Sequence, residues 1–299
     1  MSPNRFFNLI LWVGGVLLTS CNGPLGPDTP TPSPTPEPDP IPVNISLSLK
    51  TRATDTAYDN GDQIGLYMVY DGSMQSSDNY IDNKKYTLNG AEWKGDGSAY
   101  WKDDSTPADF YCYHPYGNPS DALAYDFSVK ADQSDLSSYK ASDFLWGKTS
   151  AVKPTENTVA ISTSHIMSNI VVILEPGSGF TEEEFDAAAK SVSIGNVKLQ
   201  STINLSNGAI SPKGQPSAIN AYNDGESYKA VIVPQTVPSD DDMLIVTVAG
   251  VRYSSKEEFT FKPQTRHQFT VVVDKTSTGL DITVEDWKID PDNHTSIVN

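Results

Sequence analysis

Four histidines, at positions 114, 165, 267 and 294, are the side chains best suited to metal or proton chemistry. No two stand at helical ligand spacing, and no His-Glu-x-x-His run occurs, so the pattern of a zinc site is absent. A nucleophilic serine would need a Gly-x-Ser-x-Gly elbow, which is also missing. Trp146-Gly147-Lys148-Thr149 has the tail of a phosphate-binding loop, but Ser142 stands where that loop needs its first glycine, and no helix pattern follows. Asp240 to Asp242 follow Pro238-Ser239 and read as an acidic turn, because the spacing of a twelve-residue calcium loop is not there. Cys112 lies among aromatics and His165 within a strand pattern, so both read as core residues, His165 making a hydrogen bond. Neither an enzyme nor a cofactor or metal is expected. The one arrangement that could revive an enzyme, a carboxylate pair brought together from separate strands, is invisible in a sequence.

The other cysteine has a chemistry of its own. Arg5 precedes a short apolar run, Leu9 to Leu18, too short to span a bilayer comfortably and ending in small residues. Leu18-Thr19-Ser20-Cys21 then resembles a bacterial lipobox. That resemblance implies a signal peptide over residues 1–20, cleavage before Cys21, and acylation of the Cys21 sulfur and new amine. Several acyl chains on one residue anchor stably where a single chain does not.

Residues 21–44 form a Pro-rich tether. Nine of the twenty residues from Gly23 to Pro42 are proline, alternating mostly with Thr, Ser, Glu or Asp. Such a segment adopts extended polyproline II and cannot build a core. The remaining length is enough for roughly two domains. The formal net charge of −17 argues against nucleic acid as a partner, since phosphate contacts need clustered Lys and Arg.

Beyond residue 44 the periodicity is that of short strands. Ile45, Leu47 and Leu49 alternate with Ser46, Ser48 and Lys50, a half-buried strand. Ile64 to Tyr70 is a near-continuous apolar run, expected of a strand buried on both faces. Further strands are expected at 109–113, 170–174, 192–199, 228–233, 244–251, 257–261, 267–273 and 282–284. Asn60-Gly61, Asn89-Gly90, Asn207-Gly208 and Asp224-Gly225 supply turns between them. One helix of about ten residues is signalled by the capping box Thr181 to Glu184 ahead of Phe185 and Ala187–Ala189. A phase shift near Ser164 to Ser168 puts a domain boundary there, giving β-sandwiches over 45–160 and 161–299.

A set of short motifs carries a family resemblance over nearly the whole exported chain. Thr51-Arg52-Ala53 is followed by Tyr58-Asp59-Asn60-Gly61-Asp62-Gln63-Ile64-Gly65-Leu66-Tyr67. Then come Asp109-Phe-Tyr-Cys-Tyr-His-Pro-Tyr116, Phe144-Leu-Trp-Gly147, Ser164-His-Ile-Met-Ser168, Val231-Ile-Val-Pro-Gln-Thr236, His267-Gln-Phe269 and Val284-x-x-Trp287. In this order they resemble the fimbrillin-like lipoproteins of the Bacteroidetes, the type V pilins.

That resemblance implies an all-β protein of two tandem transthyretin-like β-sandwich domains, with one short helix in the second. It implies a structural or adhesive subunit of a cell-surface fimbrium, delivered to the outer membrane as a lipid-anchored precursor. A trypsin-like protease would cut after Arg52, leaving Ala53 as the new N-terminus and releasing lipid, tether and the strand Ile45–Leu49 together. The groove so exposed would take a donor strand from another pilin subunit, and the assembled fimbrium would meet a ligand on a host or bacterial surface. The final Thr295 to Asn299, behind Asp290-Pro-Asp-Asn293, offers few alternating apolar positions for a groove, which tilts the expectation toward a tip or accessory subunit rather than the shaft. Asp55-Thr56-Ala57 has the form of an O-glycosylation acceptor of this phylum and reads more simply as loop. The alternative function is a membrane-tethered glycan-binding lipoprotein, with Trp93, Trp101 and Trp146 offered for sugar stacking.

Overall fold

The structure is a computed structural model that describes residues 39–50, 57–155, 158–276 and 279–289, with side chains described up to Lys275. Its strands follow in chain order as β1 (Ile45–Leu49), β2 (Gln63–Val69), β3 (Ile81–Asn89), β4 (Glu92–Gly95), β5 (Ala108–His114) and β6 (Tyr125–Ser128). After helix α1 (Leu136–Ala141) come β7 (Leu145–Val152), β8 (Val159–His165) and β9 (Ser168–Pro176). Helix α2 (Glu182–Ala187) leads to β10 (Lys190–Asn204), β11 (Ala209–Asn220), β12 (Tyr222–Asn223), β13 (Tyr228–Ile232) and β14 (Gln235–Val237). The described chain closes with β15 (Leu244–Val248), β16 (Val251–Ser255), β17 (Phe259–Phe261), β18 (Arg266–Thr276) and β19 (Gly279–Ile289).

Seven strands of the first half make one sheet in the order β1-β8-β7-β5-β2-β3-β4. Its central strands are covered on both faces, which is why β2 and β5 read as apolar runs. Ile64, Leu66, Met68, Phe110 and Cys112 face one cluster, together with Val43, Ile45 and Ile161. Tyr67, Val69, Tyr111 and Tyr113 face the other, a larger core shared with residues of the second half. There, the sheet β11-β10-β15-β16 packs against the sheet β12-β13-β9-β18-β19. Val192, Ile194, Val246 and Val248 of one meet Ile170, Val172, Ile232, Phe269 and Val271 of the other, a β-sandwich. The chain passes from the first sheet to the second between His165 and Ser168, while β6 of the first half pairs with β10 of the second.

Three expectations are corrected. A helix also occurs in the first half: Asp135 caps α1 by accepting from the Ser138 N–H at 2.9 Å, a signal the sequence carried. Helix α2 has its capping box, with Glu184 N–H to Thr181 Oγ1 at 3.2 Å, but spans six residues, not about ten. It stops because Ala188 is extended and the chain enters β10. The expected strand 244–251 is instead a hairpin, β15 and β16, turned at Ala249-Gly250, where both residues have positive φ.

Many of the family-like motifs turn out to serve packing. A Cβ on Gly65 would sit 2.2 Å from Tyr113 Cε1 and 2.5 Å from Asn83 Oδ1, so only glycine lets that ring and its hydrogen bond to Asn83 into the sheet. Gln235 exchanges two hydrogen bonds with the Lys198 backbone, at 2.8 and 2.9 Å, and the fully buried Gln133 does the same with Val231, at 2.8 Å each. Each side-chain amide thus extends a sheet where no strand is available.

Candidate functional site

The segment 41–50 is held from two sides. Upstream, the Val43 N–H donates to Ala99 O and the Trp101 N–H to Ile41 O, both at 2.9 Å. Downstream, β1 pairs with β8 in parallel from Ile45↔Val159 to Leu49↔Thr163. The ladder is extended at its ends by Val159 N–H to Asn44 O and Lys50 N–H to Thr163 O, both at 2.8 Å. Ser48 and Ser162 join hydroxyls across the pair at 3.1 Å, and the Tyr86 hydroxyl donates to Val43 O at 3.2 Å. Among the described residues β1 is the end strand of its sheet, with no ladder partner on its far side.

Period two decides which side chains point inward. Val43 and Ile45 are buried, Ile41 and Leu47 pack partly against the same cluster, and Ser46 is exposed. Burial of a Val or Ile side chain contributes about 1.5–3 kcal/mol, so this short segment closes one wall of the smaller core. Without it, five positions of β8 would lose their ladder and the sockets of Val43 and Ile45 would open to water.

At the C-terminal end of β1 the wall opens into a pocket of about 930 Å³, including its solvent-filled mouth. Leu49, Tyr58, Asp62, His114, Asp143, His165, Asn169 and Arg266 are among its lining, drawn from strand ends and loops of both halves. The Tyr58 ring packs edge-on against Trp93 and His114, with centroids 5.1 and 5.8 Å away. Its hydroxyl is 2.8 Å from Thr163 Oγ1, and burial raises its phenol well above the usual range. His165 Nδ1 meets the Asp143 carboxylate, as a core hydrogen bond was expected to hold it. His114 Nδ1 lies 2.9 Å from Gln63 O, and Asn169 Nδ2 donates to the Tyr139 hydroxyl at 2.7 Å. Lys140 pairs with Asp59 at 2.8 Å and holds that carboxyl below its usual pKa.

The residues expected to carry the processing chemistry, Cys21, Arg52 and Ala53, lie outside the described residues, as do the tether up to residue 38, Asp55-Thr56 and the segment 290–299. Lys50 and Ala57 are the described residues on either side of Arg52. Leu49 and Ala57 both line the pocket, so the expected cleavage bond falls between two points on its rim in the sequence.

Other candidates resolve into scaffolding. Lys148 pairs with Asp109 at 3.1 Å and lies over the Tyr111 ring, inside strand β7 rather than a phosphate loop. Asp242 is taken by Arg252 at 2.8 Å and by Ser254 at 3.0 Å across the β16 hairpin. Among the described residues no cluster of three potential ligands could hold a metal. Cys112 is buried, and burial raises its thiol pKa. Of the tryptophans offered for sugar stacking, Trp101 is a core residue and Trp146 packs on the larger core with its Nε1–H bound to Leu205 O at 2.7 Å. Trp93 stands beside Tyr58. The pocket itself was not foreseen, although its His165, Met167 and Ser168 belong to a motif that had been singled out.

The family model described as fimbrillin-like matches residues 51–287. A Bacteroides uniformis protein provisionally named fimbrium subunit Fim1C is 26% identical over 257 residues, covering 79% of this chain and 81% of its own. A Bacteroides ovatus protein provisionally named fimbrium tip subunit Fim1C is 30% identical over 142 residues, 42% of this chain but only 26% of the relative. A crystal structure of a provisionally assigned cell adhesion protein from Bacteroides uniformis superposes with a TM-score of 0.61 at 22% identity, covering 83% of this chain and 99% of the other.

Proposed function

The chain belongs to the fimbrillin-like family, whose members are structural and adhesive proteins of the cell-surface fimbrium rather than enzymes, and from that premise we propose that it is a protease-primed subunit assembled by strand exchange. The observation that carries this reading is the seating of segment 41–50. It is a separable edge element, joined to the rest by two short ladders and two buried side chains, and it immediately precedes the only arginine between Arg5 and Arg252. Cleavage at Arg52 would cut it from the body, yet leave it bound until an incoming strand displaces it. The open β8 edge and the vacated sockets of Val43 and Ile45 then supply backbone partners for affinity and pockets for alternate side chains, as strand addition requires.

Export follows the same logic. The signal peptide, Cys21 and the Pro-rich tether would deliver the precursor to the outer membrane as a lipoprotein, and the cut at Arg52 would free it. The tip or accessory position is supported by the partial similarity to the Bacteroides ovatus relative named for the tip. We also read the chain as two sandwiches, 45–160 and 161–299.

Digestion of the folded chain with a trypsin-like protease, followed by N-terminal sequencing, tests the priming step. The expected new terminus is Ala53, with the body intact. An Arg52–Ala53 bond that resists cleavage while the chain stays folded would sink it.

A further inference from the structure

We propose that the pocket at the end of β1 binds a neutral oligosaccharide, making it the adhesive site of the subunit. Its walls carry both signs of charge, Asp59, Asp62 and Asp143 against Lys140 and Arg266, with Lys140 paired to Asp59, Asp143 held by His165 and the Asn169 amide donating to Tyr139. A ligand of either charge would meet like charges in this lining, and the protein's net charge of −17 disfavours anions from a distance as well. An apolar ligand would strip water from carboxylates and cations without replacing their hydrogen bonds, which is costly. A saccharide hydroxyl both donates and accepts, so it can satisfy either kind of neighbour, and the apolar face of a sugar ring suits an aromatic wall.

The geometry supplies that wall. Tyr58 is held by its hydroxyl bond to Thr163 and by the rings of Trp93 and His114, so it is fixed before any ligand arrives. Fixing the lining in advance lowers the ordering cost of binding. The lining comes from both halves of the chain and includes Leu49, the last residue of β1, while Tyr58 is bonded to Thr163, the residue that pairs with Leu49, so the site is complete only with a strand in the β1 position. Sugar binding is therefore read on the chain with β1 in place, and a chain that polymerises but binds no sugar would overturn this inference alone.

The test is an array of neutral oligosaccharides built of galactose, N-acetylglucosamine and fucose, with their sialylated counterparts, probed with the chain from residue 22 onward. Asn169→Ala, Asp62→Asn and the exposed Lys140→Ala are probed in parallel, each checked for unchanged circular dichroism and melting temperature. The expected result is binding to a subset of neutral glycans, weakened at least tenfold in the folded variants. Should Asn169→Ala fail to fold, Lys140→Ala carries the comparison, because that lysine sits on the surface of α1. No binding to any neutral glycan, binding unchanged in every folded variant, or binding to sialylated glycans alone would overturn the assignment.

Discussion

His267 shows how a single buried side chain ties stability to pH. It packs among Phe259 and Phe261, and its Nε2 accepts from the Lys262 N–H at 3.2 Å, which requires the neutral ring. Burial, with Lys262 nearby, lowers its pKa to about 4. The unfolded chain therefore binds a proton near pH 6.5 that the folded chain refuses until about pH 4. The His267 contribution to stability falls as pH drops through that window and levels off below it, by about 3 kcal/mol, while carboxylates held below their usual range, Asp224 among them, take over the loss at lower pH. Urea unfolding at pH 7 and pH 4.5 should show this loss, and His267→Gln, which keeps an acceptor but does not titrate, should remove most of it. An equal loss in the variant would mean that other groups govern the acid limb. Gly65→Ala belongs to the same scale: the added methyl meets Tyr113 and Asn83 and should cost about 1–3 kcal/mol in the same assay. The glycine was visible in the sequence as part of a motif, but its reason was not, since Tyr113 reaches it from a strand nearly fifty residues away.

At the scale of elements, period two was enough to find β1, β5 and β18, and a near-continuous apolar run marked β2, which is buried on both faces. Both signals failed where a strand buries few apolar residues. β11 is almost wholly exposed and carries Pro212 and Pro216, so nothing marked it as a strand; its partner β10 imposes the conformation. β3 and β4 are likewise only partly buried and owe their existence to ladders, β3 with β2 and β4 with β3. The pocket was illegible for a related reason, since its lining is scattered from Leu49 to Arg266 and meets only when both halves have folded. The strand that the proposed priming would release, β1, was legible, and it yields a prediction. Trp101 packs against the cluster containing Val43 and Ile45, and its N–H is tied to Ile41 O. Displacing segment 41–50 after cleavage should therefore shift tryptophan emission to the red, and Trp101→Phe should abolish most of that shift. A cleaved and displaced chain with unchanged emission would show that the socket does not open. Ile45→Ala should loosen the strand by about 2–4 kcal/mol, seen as faster displacement of the cleaved segment by a competing peptide.

For the whole molecule, the larger core decides cooperativity. Tyr67, Tyr111, Tyr113 and Phe144 of the first half share one cluster with Ile170, Val192 and Val231 of the second. Calorimetry of the chain from residue 22 should accordingly show a single transition, while two well-separated transitions would mean that the sandwiches 45–160 and 161–299 hold independent cores. The central claim, that cutting at Arg52 converts a stored precursor into a polymerising subunit, is tested most directly in the bacterium that makes the protein. Surface fractions of wild type and Arg52→Ala are compared by immunoblot without boiling. The account predicts a high-mass ladder in the wild type that collapses to a monomer-sized band in the variant. A ladder that persists in Arg52→Ala, or a lone monomer band in both, would contradict it.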